Sequence, residues 1–134
     1  GGLVQKRYFW GNELTPGGKH MCNIWQGRFP EEDTGQDGYA GTCPVRAFPA
    51  NGYGLYDMAG NVWEWCADWF SPDWHLRGPR ENPRGPHKGS ARVMRGGSFL
   101  CHRSYCNRYR VAARTANTPE SSSANLGFRC VRDV

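Results

Sequence analysis

The sequence has no apolar run near the ~20 residues that a membrane-crossing helix needs, so no membrane partner is expected, only a soluble globular chain. It opens Gly1-Gly2-Leu3 without an initiator Met, a charged leader or an apolar signal region, and the expectation is that truncation has set its beginning. Straight-chain helix formers are sparse, which argues against long helices. No internal repeat or low-complexity linker is visible, which removes solenoids and tethered modules. The Asp-x-Asp-x-Asp-Gly spacing of an EF-hand is missing, and so is Cys-x-x-Cys. No carboxylate stands between Glu81 and Glu120.

What is present complements these gaps. The 134 residues fit one domain, and 18 glycines, 9 prolines and 6 tryptophans imply irregular backbone pinned by aromatic anchors. The net charge of +5 is segregated. Eight of the twelve acids fall between Glu31 and Asp73, whereas Arg92, Arg95, Arg103, Arg108, Arg110 and Arg114 occupy the acid-free run. A nucleic-acid binder would be basic more uniformly, so no nucleic-acid partner is expected. The pattern suits internal pairing or a cation site near the middle and an extended or anionic partner near the arginines.

Tyr8-Phe9-Trp10 reads as a short apolar strand entering turns. Cys22 to Gly27 leads to the polar loop Glu31 to Tyr39, where oxygen donors could meet a hard cation or simply face water. Asn51-Gly52 marks a turn, Leu55 to Ala59 a single helical turn ending at Gly60, and Val62-Trp63-Glu64-Trp65 a strand. Glu64 then shares a face with Val62, and if buried it needs a metal ion or an arginine. Residues 71 to 90 read as a surface excursion, Tyr109 to Arg114 as a strand, and Asn125 to Arg132 as a closing strand of a mixed sheet.

The segment from Arg95 to Arg110 carries Cys101 and Cys106, five positions apart. In a helix that spacing leaves the thiols roughly 140° apart, and in a strand it puts them on opposite faces, so joint action requires a turn between them. A disulfide is geometrically open. Zinc lacks ligands, since only His102 is close by. A redox pair would more often be Cys-x-x-Cys. Two thiolates suit a soft monovalent ion such as Cu(I), and Arg103 and Arg108 would favour the thiolate forms. Two unrelated core cysteines remain a further reading.

Several motifs act together: Asn23-Ile24-Trp25-Gln26-Gly27, Asn51 to Tyr56, Gly60-Asn61-Val62-Trp63-Glu64-Trp65, Gly96-Gly97-Ser98-Phe99-Leu100-Cys101-His102-Arg103-Ser104-Tyr105-Cys106, Asn117-Thr118-Pro119 and Asn125 to Cys130. The chain so patterned resembles the formylglycine-generating enzyme, or sulfatase-modifying factor, family from Gly1 to Asp133. Gly-Asn-x-Trp-Glu-Trp and Gly-Phe-Arg-Cys mark the wider superfamily; Cys-His-x-Ser-Tyr-Cys is specific to the oxidase. The resemblance implies an α+β fold related to C-type lectins, with little regular secondary structure and structural calcium. It implies that residues 1–134 are the C-terminal part of a single catalytic domain whose N-terminal part is absent. The activity implied is copper-dependent, oxygen-using conversion of a cysteine in a Cys-x-Pro-x-Arg segment of unfolded sulfatases to Cα-formylglycine, through a thioaldehyde that hydrolyses.

In that resemblance Cys101 and Cys106 correspond to the Cu(I) ligands. Ser98, His102, Tyr105 and Trp63 line the pocket, and Asn125, with Ser98 and Trp63, contacts substrate. Asn23, Ile24, Asp37 and Tyr39 match one calcium site and Asp57, Gly60, Val62 and Glu64 the other, with Ile24, Tyr39, Gly60 and Val62 lending carbonyls. Cys22 and Cys66 look like bacterial members, which implies a cytoplasmic protein rather than one of the endoplasmic-reticulum lumen or secreted. Partners are the unfolded sulfatase chain and O2, and the protein is expected as a monomer or complemented by the missing N-terminal segment. A non-catalytic, calcium-stabilised lectin-like binding module is the alternative.

Overall fold

A computed structural model describes residues 1–132. Its centre is β3 (Trp63–Trp69), the one long strand, where the aromatic alternation Trp63, Trp65 favours a pleated and half-buried surface. The earlier strands β1 (Gly27–Arg28) and β2 (Glu32–Asp33) form a separate antiparallel pair. β4 (Arg92–Arg95) runs antiparallel to β3, β5 (Thr115–Asn117) antiparallel to β4, and β6 (Leu126–Gly127) parallel to β3, giving the order β5-β4-β3-β6. The β3–β4 register shifts between Trp65 and Trp69, an irregularity that bends the pair. Helix is confined to one turn, α1 (Trp74–Arg77), and a 3-10 turn at Pro16–Gly18. The fold is α+β with little regular structure, as the glycine and proline content implies.

The core is assembled mostly from loops laid on one face of β3 and β4. Tyr8, Cys22, Ile24, Ala59, Trp63, Met94, Cys101, Cys106 and Tyr109 are buried together. Tyr8 stacks on Trp10 at 4.9 Å and on Tyr109 at 6.0 Å, so the N-terminal segment clamps the segment that follows Cys106. Both cysteines are therefore core residues as well as candidate reactive ones. The core is small for the chain: the accessible surface is 9224 Å², against roughly 7,100 Å² for a compact monomer of 15.1 kDa. Val4, Tyr53 and Phe128 lie 74–78% exposed. Among the described residues no helix is long and apolar enough to cross a membrane.

Four local expectations give way to side-chain competition or tertiary contacts. Tyr8 to Trp10 is a turn closed by reciprocal Tyr8–Gly11 backbone bonds rather than a strand. Leu55 to Ala59 is not helical, because Asn51 Oδ1 accepts the Tyr53 and Leu55 N–H groups and Asp57 sits at φ +55°. Tyr109 to Arg114 is not a strand: the Val111 N–H goes to the Arg7 carbonyl and the Ala113 N–H to Arg110, and pairing begins only at Thr115. The closing strand is two residues long, since beyond Gly127 the chain is drawn toward Glu64 by Arg129.

Candidate active site

The turn that the cysteine spacing demands is built in two steps. Gly96 and Gly97 lie at φ +89° and +74°, a region that glycine enters without strain. At Gly97 a Cβ would sit 3.1 Å from the Tyr109 nitrogen and 3.3 Å from Cys101 Sγ, so the close approach also demands glycine. The Cys101 N–H then returns to the Ser98 carbonyl at 2.9 Å, and the Ser98 N–H points at Cys101 Sγ at 3.4 Å. Next, the N–H groups of Tyr105 and Cys106 both donate to the His102 carbonyl, curling the chain so that the second thiol comes back to the first. Cys101 is 1% and Cys106 7% exposed.

The two thiols are pushed in opposite directions. Cys101 is pushed well above the ordinary thiol range, first by its hydrogen bond to Cys106 and then by burial. Cys106 is pulled down to about 7: the Cys101 hydrogen bond lowers it, burial opposes, and the Arg108 N–H and charge lower it further. Cys106 is thus the more acidic of the two, with the Cys101 thiol as its hydrogen-bond donor.

Both sulfurs line an open cleft of about 930 Å³ together with Trp63, Ser98, Tyr105 and Asn125. Five sequence-predicted pocket residues besides His102 are thus brought to one place with Asn125. Ser98 is fully buried, and its Oγ accepts Asn125 Nδ2–H at 3.0 Å and the Leu100 N–H at 3.3 Å. Asn125 in turn accepts the Ser123 hydroxyl at 2.6 Å, and its carbonyl accepts the Trp63 N–H at 2.7 Å. Tyr105 is 75% exposed and stacks on Phe29 at 4.9 Å, with Trp25 edge-on to Phe29 at 5.3 Å.

His102 stacks at 6.5 Å on the Phe29 ring of this cleft without lining it. Its ring lines the neighbouring cleft of about 260 Å³, with Cys22 and Trp25, and its Nδ1 lies 2.7 Å from Ser104 Oγ. Burial, then the charge of Arg103, lowers its pKa. Sequence reasoning missed Phe29, Pro30 and Leu100, which line the cysteine cleft. The one signal for them was an apolar Phe-Pro pair between charged residues.

The donor set fits a soft monovalent ion. Among the described residues no three His, Cys, Asp or Glu side chains are grouped to hold a metal, so the cysteine pair offers two-coordinate thiolate ligation, which Cu(I) tolerates. The oxygen sites are less simple. Asp37 accepts the Ile24 N–H at 3.1 Å and the Tyr39 N–H at 3.0 Å, while the Gln26 side-chain amide donates to both Asp37 and the Ile24 carbonyl. Those two oxygens converge on one electropositive group, as calcium would require, whereas Asn23 spends its amide on Gly41. Asp57, Gly60, Val62 and Glu64 line a second cleft of about 430 Å³. There the cation held by Glu64 is Arg129, which grips both carboxylate oxygens and donates to the Tyr56 and Asp57 carbonyls at 3.0 and 3.3 Å. The arginine alternative for Glu64 is the arrangement observed.

Residues 1–134 match the family model described as the sulfatase-modifying factor enzyme 1-like domain. The chain is 70% identical to the formylglycine-generating enzyme of Thermomonospora curvata, covering 99% of this chain and 45% of that protein. It is 63% identical to the formylglycine-generating enzyme of Streptomyces coelicolor, covering 100% of this chain and 43% of that protein. It therefore spans less than half the length of either. Among solved structures, Treponema denticola variable protein 1 superposes with a TM-score of 0.61 at 35% identity, over 81% of this chain and 34% of that one.

Proposed function

The chain belongs to the sulfatase-modifying factor enzyme 1-like family, and from that premise we propose that it carries the active-site part of a formylglycine-generating oxidase. The reaction is oxidation of a cysteine in a Cys-x-Pro-x-Arg segment of an unfolded sulfatase to Cα-formylglycine. Two electrons and two protons pass from the H–Cβ–S–H unit to O2, leaving a thioaldehyde and hydrogen peroxide, and addition of water to the thioaldehyde releases the sulfur as hydrogen sulfide. The single observation that carries this reading is the pair Cys101 and Cys106, both buried and both lining one open cleft.

Cys101 and Cys106 would hold Cu(I), which when bound supplies a thiolate-accepting, oxygen-reducing centre. The rest of the work belongs to the chain's own groups. The Arg108 charge favours an incoming substrate thiol as thiolate. The Ser98–Asn125 bond holds a polar pair against the thiols, where it can orient a peptide group. Trp25, Phe29 and Tyr105 form an aromatic wall that packs against an extended chain and excludes water. His102, bonded to Ser104, shapes the turn between the cysteines from behind.

Calcium at the Asp37 loop would be structural, fixing a segment poor in backbone pairing, and at the Glu64 loop it would take the place of Arg129 on the carboxylate. The surface excess of roughly 2,000 Å² supports a further segment packing on this chain, so that residues 1–134 form the C-terminal part of one domain, active as a monomer once completed. Six free cysteines in the described residues suit a reducing, cytoplasmic setting.

The test is mass spectrometry of a Cys-x-Pro-x-Arg peptide incubated with Cu(I), O2 and the chain extended to the full length of its relatives. Thiol should convert to aldehyde, and Cys101→Ser or Cys106→Ser should each abolish conversion and tight Cu(I) binding. Absence of conversion by the extended protein, or Cu(I) binding retained in both variants, would refute the reading.

A further inference from the structure

Two arginines of the acid-free run, Arg95 and Arg114, join Arg80 in a second location that the cysteine chemistry does not use. A cleft of about 400 Å³ lies between the 74–85 excursion and the sheet, on residues disjoint from those around Cys101 and Cys106. Arg80, Arg95 and Arg114 line it with His75 and Trp74, against the single carboxylate of Asp68. We propose that this cleft binds a tetrahedral oxyanion of the sulfate or phosphate type.

Three observations carry the assignment. First, none of the three guanidinium groups is held in an ion pair: the ion pairs among the described residues are Arg28–Glu31, Arg77–Asp73 and Arg129–Glu64. Arg95 faces Glu64 across the β3–β4 ladder, yet Glu64 is committed to Arg129. Three cationic side chains that line one cleft repel one another, Asp68 offsets only part of that charge, and an anion relieves the rest.

Second, two of the three are held before any ligand arrives. Arg114 lies over the Phe70 ring at 5.4 Å and donates to the Ser71 carbonyl at 3.0 Å, and Arg95 donates to the Val111 carbonyl at 2.6 Å. Each bond to a neutral acceptor leaves further guanidinium N–H groups to address an oxyanion in pairs, and prior orientation lowers the ordering cost of binding.

Third, the wall is packed rather than loosely draped. A Cβ at Gly78 would meet the Trp74 indole at 2.6 Å, and one at Gly85 would meet Asp68 Cβ at 2.5 Å, so glycine closes the excursion onto both the helix turn and β3. The cavity exceeds a bare ion and leaves room for the group that an ester would carry.

Isothermal titration of the full chain with sodium sulfate, against sodium chloride of equal ionic strength, tests this. Saturable sulfate binding absent with chloride is expected, weakened about tenfold by Arg80→Gln and by Arg114→Gln, less by Arg114→Lys, and unchanged by Arg108→Gln. Comparing inorganic phosphate and sulfate with p-nitrophenyl sulfate separates the sources: tighter binding of the ester marks a monoester site, equal binding a free-ion site. Heat no greater than that of chloride, or affinity indifferent to both Gln substitutions, overturns the proposal; so does loss of binding in Arg108→Gln, which would move the anion to the cysteine cleft. Arg80 is exposed on the excursion, so its variant decides the matter even where Arg114→Gln fails to fold.

Discussion

Replacing Gly97 by Ala should damage the cysteine pair in a way that can be separated from ordinary backbone strain. Gly97 and Gly54 share almost the same left-handed backbone, φ +74° and +75°, but a Cβ at Gly54 meets nothing within 4 Å, whereas one at Gly97 meets the Tyr109 nitrogen at 3.1 Å and Cys101 Sγ at 3.3 Å. Both substitutions carry the left-handed penalty of about 1–2 kcal/mol. Only Gly97→Ala adds the overpacking cost of about 1–3 kcal/mol, because Tyr109 is 2% exposed and Cys101 1%, and neither has room to retreat. The melting temperature of Gly97→Ala should therefore fall below that of Gly54→Ala by roughly 3–15 °C, at about 3–5 °C per kcal/mol for a chain of this size. If part of that strain is relieved by displacing Cys101 Sγ, Cu(I) affinity measured by chelator competition drops about tenfold or more in Gly97→Ala and stays unchanged in Gly54→Ala. Equal melting temperatures and equal copper affinities in the two variants would show that the Gly97 contacts do not position the thiol.

Thiolate ultraviolet absorbance should rise as pH passes about 7, because Cys106 is depressed and so ionises from that pH upward. The step should vanish in Cys106→Ser and move to higher pH in Cys101→Ser, which loses the stabilising donor; a wild-type titration near pH 9 would contradict the hydrogen bond from Cys101 to Cys106. Calcium should raise the melting temperature and a chelator lower it, with Asp37→Asn and Glu64→Gln each reducing the response. Glu64→Gln should also cost about 1–3 kcal/mol without calcium, since the partly buried Arg129 loses its charged acceptor. Thermal stability indifferent to both calcium and chelator would sink the structural-calcium reading while leaving the Arg129 pair intact.

Elements whose signal is local were legible. Val62-Trp63-Glu64-Trp65 alternates and is the start of the central strand, and the Asn51-Gly52 turn forms with Gly54 N–H returning to the Asn51 carbonyl. Elements whose backbone partners come from far along the chain were misread. Tyr109 to Arg114 alternates as well as any strand, yet its donors are claimed by Arg7 and by a local turn, and nothing within those six residues records the competitor. The same limit explains Phe29 and Pro30, which reach the cysteine cleft by stacking on Tyr105 from a segment more than seventy residues away.

At the site itself, residue chemistry by sequence alone determined part of the answer: the separation of Cys101 and Cys106 requires a turn between them if they act together, and Arg103 and Arg108 favour thiolate. Family motifs then named Ser98, Trp63, Tyr105 and Asn125, and all four lie in the cleft with the thiols. Tertiary structure alone decided that His102 lines the adjacent cleft, that Glu64 takes Arg129 as its cation, and that Arg80, Arg95 and Arg114 line one cleft with the single carboxylate of Asp68. The reason is physical. A turn, a strand face or a charge run is set by neighbours in the chain, whereas ion pairing and cavity lining depend on which distant segment arrives within a few ångströms, and that is decided only when the core closes.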